Sequence, residues 1–115
     1  MPHNRGDIIE IIFELPYNES SKPHPVIIIS NDDVYEQDGL YICVMITHMK
    51  SKDKYTFEIT DEMLVKVGDG KFSQARCHLI TNVSDDDIIP NGNRNSMKLN
   101  FIERLVTQIE TITLR

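Results

Sequence analysis

Three apolar, β-branched runs set the pattern of the first half of the chain. Ile8, Ile9, Ile11, Ile12 and Phe13 supply the apolar side of a strand predicted from Gly6 to Leu15. Val26-Ile-Ile-Ile29 reads as a fully apolar, buried strand, and Leu40 to Thr47 as a third. Between the first two, Pro16 to Pro25 is predicted as a polar loop that holds three prolines. It is longer than an ordinary hairpin connection, and long loops in compact domains are often functional. Ser30-Asn-Asp-Asp33 offers cap or turn chemistry to a short helical turn that Asp38-Gly39 terminates.

The second half continues with shorter pieces. His48 to Lys54 is a polar loop with Lys50, Lys52 and Lys54 against Asp53. Tyr55 to Thr60 alternates as a strand, Asp61 to Val67 holds a helical turn, and Gly68-Asp-Gly70 is a turn. Phe72 to Val83 reads as one bent strand or two short ones, followed by the acidic Asp85-Asp86-Asp87 turn and a loop from Pro90 to Asn95. Ser96 is the expected N-cap of a helix in which Phe101, Ile102, Leu105, Val106 and Ile109 recur at helical spacing. The expected class is therefore mainly β (α+β). It is a small twisted sheet or partly open barrel of about five to seven strands, with a C-terminal amphipathic helix packed on it.

Composition narrows the class. At 115 residues, with 40% hydrophobic and 26% charged positions, residues 1–115 are expected to form one ordinary globular domain. No apolar run approaches the ~20 residues that cross a bilayer, and Met1 to Asp7 lacks the apolar core of a signal peptide. Cys43 and Cys77 both sit inside apolar strand patterns and read as buried thiols. The expectation is a cytoplasmic protein with no membrane partner. A net charge of −6 argues against a general nucleic-acid coat protein, which would carry a basic excess. An enzyme that touches a few nucleotides in a local groove remains compatible with it.

Candidate chemistry gathers at strand ends. Pro23 and Pro25 fix the backbone on either side of His24, and the third strand ends in Thr47-His48. Arg76 and His78 share strand parity, so both side chains point to one face. Solvent exposure of that face would explain them without chemistry. The spacing of His3, His24, His48 and His78 fits no usual ligand set, so neither a metal site nor another cofactor is expected.

These residues carry a resemblance. Gly6-Asp-Ile-Ile9, the proline-bearing loop into Val26-Ile-Ile-Ile-Ser-Asn31, and Val44-Met-Ile-Thr47 are similar to the MazF/PemK toxin family. Tyr55-Thr-Phe-Glu-Ile59, Ser73-Gln-Ala-Arg-Cys-His-Leu-Ile-Thr81 and the terminal helix continue the likeness in order over nearly the whole chain. The resemblance implies a dimeric, barrel-like fold, metal-independent cleavage of single-stranded RNA, and neutralisation by a cognate antitoxin. Carried over by position, Thr47 matches the family's third-strand threonine. His24-Pro25 stands where the family usually has Arg-Pro, and Arg76-Cys77-His78 where one branch has Arg-Cys-Asp.

Metal-free RNA cleavage uses the ribose 2′-hydroxyl as nucleophile. It needs a base, an acid and donors for the charge that develops on phosphorus. Imidazole, with an ordinary pKa of about 6.5, suits both proton transfers. The expected catalytic set is thus His24, Thr47, Arg76 and His78. Tyr17, Lys22, His48, Lys50 and Lys52 are the expected substrate contacts, Tyr17 as a stacking platform and the lysines for phosphate. Phe72 fits the core better than a stacking role, and the lysine series reads equally as a solvated loop tip. A second reading stays open: a non-catalytic interaction module on the same scaffold, in which His24 marks a lost catalytic arginine.

Overall fold

The structure, a computed structural model, describes residues 3–13, 22–68, 70–92 and 94–115. Six strands, β1 (Asp7–Phe13), β2 (Lys22–Ile28), β3 (Leu40–Thr47), β4 (Thr56–Ile59), β5 (Ser73–Ser84) and β6 (Asn95–Ser96), form one sheet in the order β4-β5-β3-β2-β1-β6. Every pairing is antiparallel, and the sheet curls into a half-barrel. Two helices join it, α1 (Asp32–Asp38) and α2 (Leu99–Ile112).

Strand alternation divides the core into two layers. On one face, Ile27, Val44, Ile46, Ala75 and Cys77 pack under Ile102, Leu105 and Ile109 of α2, the stripe its helical spacing predicts. On the other, Ile9, Ile11, Val26, Ile28, Tyr41 and Cys43 pack with Val83 and Ile88, and Tyr35 of α1 lies against them. Asn31 caps α1 through its side chain, and Gly39 ends it at φ 68°, with its N–H donating to the Tyr35 carbonyl at 2.7 Å.

Two elements depart from the sequence expectation. β2 begins at Lys22, so Lys22 to Pro25 belong to a strand and not to the loop. Their prolines are tolerated because β2 pairs there with β1 alone. Pairing with β3 runs from Ile28 only as far as Val26↔Met45, where Pro25 has no N–H to extend it. Ser96 does not cap α2. Its backbone pairs with Asp7, its hydroxyl donates to the Asp7 carboxylate at 2.8 Å, and the helix starts after Lys98 without a side-chain cap. β5 is the single bent strand that the pattern allowed, with its irregularity between the Val44↔Ile80 and Ile46↔Ala75 pairs.

Candidate active site

His24 rides on a stiff strand. Ile27, on the parity of Pro23 and Pro25, faces α2, whereas His24 shares the parity of Val26 and Ile28 and is directed to the opposite face. Thr47, at the end of β3, lies on that same face, since its neighbour Ile46 packs on the α2 side. The last β2–β3 pair is Val26↔Met45, and His24 and Thr47 each lie two residues beyond it. The Thr47 hydroxyl accepts from the Met49 N–H at 3.3 Å, so it also starts the turn out of the strand.

Across β3, the partner of Thr47 is Gln74, and Arg76 lies two residues further along β5, opposite Thr56 of β4. The Arg76 guanidinium forms a two-pronged contact with the Asp53 carboxylate, at 3.0 and 2.8 Å, and donates to Thr56 Oγ1 and Gln74 Oε1. This contact, helped by the Tyr55 N–H, pulls the Asp53 carboxyl down to about 2. Asp53 in turn holds the Arg76 guanidinium above its ordinary value. His78 is exposed and lies over Tyr55, with ring centroids 4.2 Å apart.

Other expected site residues fall elsewhere. His48 belongs to the α2 side of the sheet, so the sheet separates it from its neighbour Thr47. Its Nδ1 sits 3.0 Å from both the Phe72 carbonyl and the Ser73 hydroxyl, at a cleft of about 580 Å³ also lined by Pro23, Pro25, Lys66 and Arg94. Lys50 is exposed in the β3–β4 loop, and Lys52 pairs with Glu58 at 3.1 Å. Phe72 is half-buried under the Lys52 ammonium and packs against neither core layer, unlike the core role its apolar side chain suggested. Tyr17 and the Lys22 side chain lie outside the described residues.

Sequence reasoning passed over Gln74, Asp53 and Thr56. The signal for Gln74 was present. It continues the Arg76/His78 parity by one step, as a polar residue in a strand otherwise built to be buried. Its meaning depends on cross-strand partners that only the register supplies. Among the described residues, no three His, Cys, Asp or Glu side chains come together as a metal-ligand cluster. No helix there is long and apolar enough to cross a membrane.

The architecture is shared with solved toxins. An endoribonuclease bound to its cognate antitoxin from a mycobacterial species superposes at TM-score 0.68 with 14% identity, over 96% of this chain and 93% of that one. MazF from Deinococcus radiodurans superposes at TM-score 0.71 with 7% identity, over 98% and 97%. The MazE–MazF complex from the same organism gives TM-score 0.70 at 7% identity, over 95% and 94%. No curated protein matches the chain in sequence. Residues 4–111 match the family model described as the PemK-like, MazF-like toxin of type II toxin–antitoxin systems. With its curled six-stranded sheet and terminal helix covered almost end to end by that match, this chain belongs to the MazF/PemK toxin family.

Proposed function

We propose that the protein is a toxin-type endoribonuclease that cuts single-stranded RNA without a metal, with the scissile phosphate held over His24 and Thr47. The observation that supports this reading is strand parity: His24 and Thr47, each two residues beyond the Val26↔Met45 pair of adjacent strands, lie on one face of the sheet. His24 takes the 2′-hydroxyl proton as the 2′-oxygen attacks phosphorus. The bond from phosphorus to the 5′-oxygen breaks, and the leaving oxygen receives a proton, for which His78 is the available imidazole further along β5. Thr47 donates to a non-bridging oxygen as charge develops on it. The products are a 2′,3′-cyclic phosphate and a 5′-hydroxyl.

Kinetics test these assignments. With chelator present, His24→Ala should lose ~10²–10⁴-fold in cleavage rate, and Thr47→Val about 10²-fold. Melting temperatures should stay near that of the parent protein, because His24 and Thr47 are only half-buried. Full activity in both variants would remove the assignment.

Two partners belong to the same reading. A cognate antitoxin is favoured by the solved relatives that carry one. A second copy of the chain is favoured by an open groove of about 510 Å³ between α2 and the sheet, in which Ile29, Ile42, Ile80, Val106, Ile109 and Leu114 form an apolar lining flanked by Arg5 and Glu110. The alternative is a non-catalytic interaction module. It draws on one feature, the histidine at the position where the family usually has arginine. RNA left intact from pH 5 to 8, the range in which imidazoles titrate, would favour it.

A further inference from the structure

Among the described residues Gln74 is the buried polar side chain, 1% exposed, and every hydrogen-bonding position of its carboxamide is filled. Nε2 donates to the Met49 carbonyl at 2.8 Å and to the Ser51 carbonyl at 2.7 Å. Oε1 accepts from Thr56 Oγ1 at 2.7 Å and from Arg76 Nη1 at 2.9 Å. A reversed amide would set donors against the guanidinium and an oxygen against two carbonyls, so the network fixes its orientation. Arg76 then reaches past Gln74 to close its fork on Asp53. The β3–β4 loop is therefore gripped at Met49, Ser51 and Asp53 by two adjacent polar positions of β5. The residue that does most of the gripping is the cross-strand partner of Thr47.

We propose that Gln74 is a positioning residue for RNA cleavage: it locks the 49–53 loop beside Thr47, so that Met49, Lys50 and Lys52 meet the RNA strand in one fixed arrangement. Arg76 and Asp53 close the same clamp from outside. The inference rests on the endoribonuclease reading. Loop carbonyls that point inward to a side-chain amide leave the exposed Met49 and Lys50 side chains directed outward. A preset loop meets its ligand without an ordering cost, so its loss falls on substrate binding and on the choice of cut site. The proton transfers at His24 are left in place.

Gln74→Glu tests this, because it preserves size and the acceptor at Oε1 while replacing the amide that donates twice to the loop with an oxygen. The expected result is a KM for a short unstructured RNA raised at least ~10-fold, with kcat changed by no more than about threefold and a broader set of cut sites. Amides 49–53 should exchange faster, with β3 and β5 unchanged. Asp53→Asn, at an exposed position, should raise KM in the same direction by a smaller factor. A parent protein that cuts RNA while both variants retain its KM and cut sites overturns the clamp and leaves the enzyme intact. A parent protein that cuts no RNA overturns the enzyme reading and the clamp together.

Discussion

Asp53 makes the clamp measurable at a single carboxyl. Its value near 2 arises from the Arg76 fork first and the Tyr55 N–H second. A depressed carboxyl contributes stability that is complete above its unfolded value of about 3.9 and fades as pH falls through the folded one. The clamp should therefore be fully formed from pH 5 to 8. In Arg76→Ala, a carboxyl-detected NMR titration should show the Asp53 midpoint rising toward 4. An unmoved midpoint would mean that the fork does not hold it. Cys43 is the opposite case, since burial pushes its thiol up to about 12. Its neutral form is the one the fold accepts, so this contribution to stability is intact below about 9 and is lost as pH climbs toward 12. At pH 8 neither Cys43 nor Cys77, both buried and free, should react with a thiol reagent until the protein unfolds. Their apolar flanks, Ile42 and Val44 around the first, made this burial legible in the sequence.

At the scale of elements, legibility followed periodicity. α2 announced itself because Ile102, Leu105 and Ile109 recur on one stripe, and all three are buried. Leu105→Ala should lower unfolding stability by about 2–5 kcal/mol in a urea titration, since Leu105 is fully buried under the sheet. A loss under 1 kcal/mol would mean that the helix does not seal that layer. Where the expectation failed, a tertiary partner had overruled a local signal. Ser96 has cap chemistry, yet Asp7 draws both its backbone and its hydroxyl into β6. Lys22-Pro-His-Pro25 has loop chemistry, yet β1 offers it a full ladder on the side where no proline N–H is needed. The second case matters for function, because a strand fixes the face on which His24 stands and a loop would not.

For the whole molecule, the fold was readable and the site was readable only in kind. Strand patterns and one helical stripe carry the half-barrel, but residue types at strand ends say nothing about which neighbour they meet. Thr47 and His48 are adjacent in sequence and stand on opposite faces. Thr47 and Gln74 are far apart in sequence and stand side by side. Register made that distinction, and the sequence prints it nowhere. The proposed dimer has a test at this scale. Sedimentation should give a particle of two chains, and Ile80→Glu, which places a charge in the apolar groove, should shift it toward one. A single-chain particle for the parent protein would discard that part of the proposal.

The chemistry proposed for His24 and Thr47 is tested most directly by the ends it would leave. Purified protein incubated with a long unstructured RNA and excess chelator should yield fragments whose 3′ ends carry a cyclic phosphate and whose 5′ ends carry a free hydroxyl. The cut should vanish in His24→Ala. RNA that stays whole between pH 5 and 8, or fragments ending in 5′-phosphate, would contradict the account.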